Sequence, residues 1–145
     1  MSFAVDANLL VYASDLGSPF HAAARGFLDE RATGREIFCI AWTTAMAYLR
    51  IVTHPGILGS PLAPAEALAN LASLEALPQV RLLAEKVGFL AAYAEATTGT
   101  ALRGNLVPDA HLAAVLLQHD VRTLYTNDAD FRRFTFLDVR NPLEG

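Results

Sequence analysis

The sequence predicts a single α/β domain, with a mostly parallel central sheet covered by helices on both faces. Three observations carry that expectation. The chain has 145 residues, 53% of them hydrophobic, which suits one domain with a sizeable core. Short apolar segments alternate with longer stretches of helical periodicity. No internal repeat, low-complexity tract or linker divides residues 1–145.

Taken in order, Phe3–Val5 is a strand ending at Asp6, and Ala7–Asp15 is a helix with Leu9, Leu10 and Tyr12 on its apolar side. Ser18-Pro19 marks the start of a second helix reaching Ala32, ended by the Gly34 region. Glu36–Ile40 reads as a buried strand and Trp42–Val52 as a helix stopped by His54-Pro55-Gly56. A loop with Gly59, Pro61 and Pro64 leads to a helix over Ala65–Glu75, then a strand over Val80–Leu83 and a helix over Val87–Thr98. Pro108 opens a helix to His119, followed by a strand Arg122–Tyr125, a helical turn Ala129–Arg133 and a last strand Thr135–Val139.

The formal net charge is −4, whereas a protein that binds nucleic acid by neutralising phosphates is normally basic. Acidity fits such a partner only if the acids are gathered at a metal. Ten of the eleven basic residues are arginine, with Lys86 the exception, and arginine suits planar contacts to phosphate or carboxylate. A positive mean hydropathy with few charges points to apolar surface covered by a partner. Cys39, the only cysteine, lies in the apolar run Ile37–Ile40, which predicts a buried structural thiol and excludes a disulfide or cysteine zinc site. The N-terminus lacks the pattern of a signal peptide and no apolar run is long enough for a bilayer, so a soluble, cytoplasmic protein without membrane contact is expected.

Chemistry concentrates in three segments. Asp6 follows the first strand in Val5-Asp6-Ala7-Asn8, Asp109 lies in the first turn of a helix in Val107-Pro108-Asp109-Ala110, and Asp128 and Asp130 follow a strand in Thr126-Asn127-Asp128-Ala129-Asp130. In a parallel sheet these places lie at the carboxyl ends of strands, where active groups gather. Converging carboxylates repel unless a cation neutralises them, and hard oxygen donors select Mg²⁺ or Mn²⁺. Each acid also has a plainer role. Asp6 and Asp109 could serve helix starts, and Asp128 and Asp130 could be turn residues.

In their order, the segments resemble the PIN-domain ribonucleases, especially the VapC toxins of VapBC toxin–antitoxin pairs. Val5–Leu10 is similar to that family's opening strand and first acid, Pro108–Ala114 to its later acid on a helix, and Thr126–Phe131 to its closing acidic turn. Tyr48–Pro55 is similar to its second-motif helix, so the resemblance spans nearly the whole chain. It implies a Mg²⁺-dependent endoribonuclease, with Mn²⁺ able to substitute. Asp6, Asp109 and Asp128 would be metal ligands, Asp130 a fourth catalytic acid, and Asn8, Thr126 and Asn127 supporting groups. It further implies a cognate VapB-like antitoxin, an RNA substrate and a homodimer.

One position departs from the family. A glutamate usually stands three residues before the arginine of the middle helix, and here that position is Ala47, before Arg50. Alanine cannot hold a metal, so cleavage is expected to be weak or absent. Natural divergence and a deliberate inactivating replacement both fit, as does a catalytically silent module that binds antitoxin or RNA. Arg50, Arg132 and Arg133 are candidate contacts to substrate phosphate or partner carboxylates. His21, His54, His111 and His119 show no zinc-type pairing, and Trp42 and Tyr48 are expected in the core. A phosphatase or receiver reading fails, because Asn8 stands where a second aspartate is needed and the order of acids is wrong for a phosphoacceptor.

Overall fold

Five short apolar runs become five strands, β1 (Ser2–Val5), β2 (Ile37–Ala41), β3 (Val80–Leu83), β4 (Thr123–Tyr125) and β5 (Asp138–Arg140). They are seen in a computed structural model that describes residues 1–144. The order across the sheet is β3-β2-β1-β4-β5, and every neighbouring pair is parallel. Helices α1 (Ala7–Ser14) and α2 (His21–Ala32) join β1 to β2, and α3 (Trp42–Val52) and α4 (Pro64–Glu75) join β2 to β3. Helices α5 (Phe89–Ala96) and α6 (Val107–Gln118) then lead back to β4 on the far side of β1. The winding therefore reverses between β1 and β4, and strand ends on either side of such a reversal open a crevice.

Strand alternation sends side chains to two cores. Phe3, Val5, Phe38, Ile40 and Val80 pack with Leu9, Leu10, Leu28, Tyr48 and Val52 of α1, α2 and α3. Ala4, Cys39, Ala41, Leu83 and Leu124 pack with α6 and with Phe131, Phe134 and Leu137. Helices thus cover both faces, as the apolar strands require. Cys39 is a buried thiol within the second core.

The structure departs from the expected elements at four places. The last strand begins at Asp138, not Thr135. Phe131, Phe134 and Leu137 recur every third residue, all are buried, and successive turn bonds (Phe134 N to Phe131 O, Leu137 N to Phe134 O) keep that stretch out of extended form. Helix α5 starts at Phe89, because Gly88 before it has φ of 84°, a left-handed conformation outside the helical range. Ser18 shapes a turn instead of opening α2: its hydroxyl accepts from Phe20 N at 3.1 Å, and the helix begins at His21. Trp42 is not a core residue. It is 44% exposed, and with Met46 and Leu68 it lines an apolar groove between α3 and α4. This groove holds part of the exposed apolar surface, and Leu16, Val87 and Leu90 carry more of it elsewhere. Among the described residues, no helix is long and apolar enough to cross a membrane.

Candidate metal centre

Asp6 ends β1 and caps α1 at once. Its backbone N donates to Tyr125 O, extending the ladder to β4, and its Oδ1 accepts from Ala7 N at 2.7 Å. The other oxygen, Oδ2, accepts a 2.8 Å bond from the Thr126 hydroxyl at the end of β4. The plain helix-cap role therefore holds for Asp6, but it occupies only half of the carboxylate.

Thr126 is the junction of the site. It is 1% exposed, and its single hydroxyl proton goes to Asp6, while its lone pairs accept from Asn8 Nδ2 at 3.3 Å and Asp128 N at 3.0 Å. One hydroxyl can donate once and accept twice, so its capacity is fully used. This orients Asp6 directly and Asp128 through its backbone. Asn127 bonds elsewhere. Its amide donates to Tyr12 OH and its oxygen accepts from Asn141 Nδ2, tying the loop to α1 and the segment after β5.

Asp109 enters from α6, in the first turn after Pro108. Oxygens of Asp109, Asp128 and Asp130 lie within 4.8 Å of one another. Asp6 stands outside this group of three and lines a cleft of about 140 Å³ with Asp109, Thr43, Thr44, Ala47 and Phe131. Position 47 thus faces the same space as the first acid and the helix acid. Asp128 Oδ1 accepts from Asp130 N at 2.9 Å, the ordinary turn role expected for such a pair, and this fixes the loop bearing both carboxyls.

Electrostatics at the site are unfavourable in isolation. Burial, then the charges of Asp128, Asp6 and Asp130, push the Asp109 carboxyl up from 3.8 to about 6, against a lowering by Arg133. Burial also raises Asp6, despite its bonds from Thr126 and Ala7. Arg133 is half-buried, donates to Asp130 O at 3.0 Å and lies 3.6 Å from Asp130 Oδ1. Arg50 and Arg132 are exposed and form no ion pair among the described residues. The donor set is all carboxylate, several groups converge, and one guanidinium offsets them. Those features fit a hard divalent cation, whose oxygen ligands at about 2.1 Å stand closer together than mutual repulsion alone would leave them.

The histidines serve structure. His21 bonds Tyr12 O, His54 accepts from Gly56 N, His119 bonds Ala84 O, and His111 pairs with Glu85 at 2.6 Å. Thr44, a buried residue lining the cleft with Asp6 and Asp109, carries no signal in the sequence, because a threonine in the first turn of a helix is ordinary.

The PIN-domain family profile matches residues 3–137. The chain belongs to the PIN-domain family. Ribonuclease VapC48 of Mycobacterium tuberculosis (strain CDC 1551 / Oshkosh) is 39% identical to this PIN domain over 145 residues, which cover 100% of both chains. The structure of VapBC2 from Rickettsia felis, bound to a DNA fragment from their promoter, superposes with a TM-score of 0.69 at 19% identity, covering 97% of this chain and 98% of that one. Mycobacterium tuberculosis VapC20, a sarcin–ricin loop cleaving toxin, also gives 0.69, at 17% identity over 96% and 99% of the two chains. At such identities the solved structures speak for the fold. The four aspartates of this PIN domain stand where the winding of its parallel sheet reverses, beyond β1 and β4.

Proposed function

We propose that this protein is the toxin of a VapBC-type pair, an endoribonuclease that hydrolyses RNA phosphodiester bonds with Mg²⁺, or with Mn²⁺ in its place. The observation that carries the reading is the convergence of Asp109, Asp128 and Asp130, with Asp6 on the adjoining cleft, in a chain 39% identical throughout to a VapC ribonuclease. Asp6, Asp109 and Asp128 hold the ion, with Asp130 completing the cluster. When bound, the ion supplies positive charge that activates water and stabilises the oxygens of an in-line displacement. The protein's own groups prepare the site. Thr126 and Asn8 fix the Asp6 carboxylate, and Arg133 restrains the loop of Asp128 and Asp130. Arg50 and Arg132 offer exposed guanidiniums to RNA phosphates. A VapB-like antitoxin is the partner, and the chain acts as a homodimer.

Ala47 supports a slow enzyme. The cleft wall that α3 presents to Asp6 and Asp109 carries a methyl group where the family has a carboxylate. A second reading, a silent module that binds antitoxin or RNA, rests on the same residue.

One experiment separates them. The Ala47 chain and Ala47→Glu are compared on total RNA with Mg²⁺, with chelator as control, and in cells by growth on expression. Removing one preorganised group of this kind costs about a hundredfold or more in rate, so the glutamate form should cleave at least that much faster and arrest growth. Equal, low cleavage by both forms without growth arrest favours the silent module. Strong cleavage by the Ala47 chain shows that the aspartates suffice and that Ala47 costs nothing.

A further inference from the structure

A second pocket, of about 120 Å³, adjoins the metal cluster. It shares Asp128 with that cluster but no lining residue with the cleft of Asp6 and Asp109. Its walls come from the loop after β4 and from the chain after β5, which hydrogen bonds hold together. Asn141 Nδ2 donates to Asn127 Oδ1 at 2.8 Å, and Asn141 Oδ1 accepts from Leu143 N at 3.0 Å. Ala129 and Val139 supply apolar lining, and Asn127, Arg132, Asn141 and Glu144 supply polar lining.

The polar groups here are not used up by the fold. A carboxamide nitrogen carries two hydrogens, and those of Asn127 and Asn141 each make a single bond among the described residues. Arg132 and Glu144 are exposed and line the same pocket, yet neither forms an ion pair with the other or with any other described residue. Free donors and a free carboxylate therefore border one small space, with room for a planar base but not for a helix about 10 Å across.

Charge decides which part of an RNA chain suits it. A phosphate in this pocket would meet the carboxylates of Asp128 and Glu144 against the one guanidinium of Arg132, whereas a base is neutral. Single-stranded RNA is read through unstacked bases, hydrogen-bonded along their edges and packed on apolar groups or guanidinium planes. Guanine answers both kinds of group. Its N1–H and amino group donate to a carboxylate, and its O6 and N7 accept the paired donors of an arginine. Uracil, with a lone donor between acceptors, matches less well.

We infer that this pocket is a base-reading subsite: it holds an unpaired guanine of the RNA beside the bond cut at the metal. Arg132 and the asparagine amides donate to the base, and Glu144 accepts from it. The inference rests on the endoribonuclease reading, and it gives Arg132, assigned above to phosphate, a part in choosing the sequence as well.

The test is fluorescence anisotropy of short single-stranded oligouridylates in Mn²⁺. Each strand carries one guanosine, walked through every position, and an all-uridine strand is the reference. The unsubstituted chain should bind one guanosine strand at least about tenfold more tightly than the reference. Arg132→Lys keeps the charge that a phosphate feels but loses the planar fork, and Glu144→Gln removes the carboxylate. Both side chains are exposed, so both variants should fold and take up Mn²⁺ as before. Each should lose most of the guanosine preference while binding the reference strand nearly unchanged. A preference that either variant keeps in full overturns the inference, as does equal binding of all strands by the unsubstituted chain. A uniform loss across strands in Arg132→Lys also overturns it, leaving Arg132 a phosphate contact alone. In each of these cases Mn²⁺ uptake and cleavage of total RNA keep the nuclease reading standing. A chain that binds none of the strands overturns the inference, and one that takes up no Mn²⁺ either overturns the reading beneath it.

Discussion

Asp109 receives no hydrogen bond from the described residues, and the charges around it are three carboxylates and the Arg133 guanidinium. Burial and three acids raise it from 3.8 to about 6, so the folded protein holds this proton more tightly than the unfolded chain does. An acid whose folded value is raised favours folding below its unfolded value, and that advantage is lost as pH rises towards the folded value. Stability without metal should therefore fall as pH rises from about 4 to about 6, with the buried Asp6 acting in the same direction. Asp109→Asn removes the repulsion, and thermal melting at neutral pH without metal should show a higher melting temperature and a flatter pH profile than the unsubstituted chain. A clear drop would mean that Asp109 serves the start of α6. At this scale the sequence displays carboxylates well, because an aspartate directly after an apolar strand or in a first helical turn stands out. Hydroxyl roles are hidden. Thr126 acts on Asp6 from 120 positions away, and only the pairing of β1 with β4 makes them neighbours.

Helix α6 decides where Asp109 stands. It is apolar nearly all round, and Ala110, Ala113 and Ala114 are all 0% exposed, so small side chains let it sit close against the sheet. Ala113→Leu would force the helix away from Ala4, Cys39 and Leu124, costing about 1–3 kcal/mol as overpacking. Denaturant unfolding should register that loss, and Mn²⁺ affinity should fall with it as Asp109 moves off the other acids. Full stability in that variant would show a looser seat than the structure describes. The elements most legible in the sequence are those whose apolar period is unmixed, such as β1 to β4 and α3. Two failures have a common origin in tertiary burial. The stretch Thr135–Val139 reads as a strand from its apolar and β-branched residues, until Phe134 and Leu137 are seen turned into one core. Trp42 looks like core because tryptophan usually is, yet α3 leaves it on the groove beside α4.

For the whole molecule, charge is the controlling quantity. On the proposed reading, a chain of net charge −4 with aspartates gathered where the strand order reverses would repel RNA until a cation enters. Fold and site are linked: the parallel topology brings together acids that repel one another. The most direct measurement is calorimetric titration of Mn²⁺ and Mg²⁺ into the unsubstituted chain and into an Asp6→Asn, Asp109→Asn double variant, each checked as folded by melting. The Ala47 chain should bind both ions, Mg²⁺ at millimolar strength because position 47 offers no carboxylate, and the folded double variant should show no measurable binding. Equal binding by both proteins would contradict it.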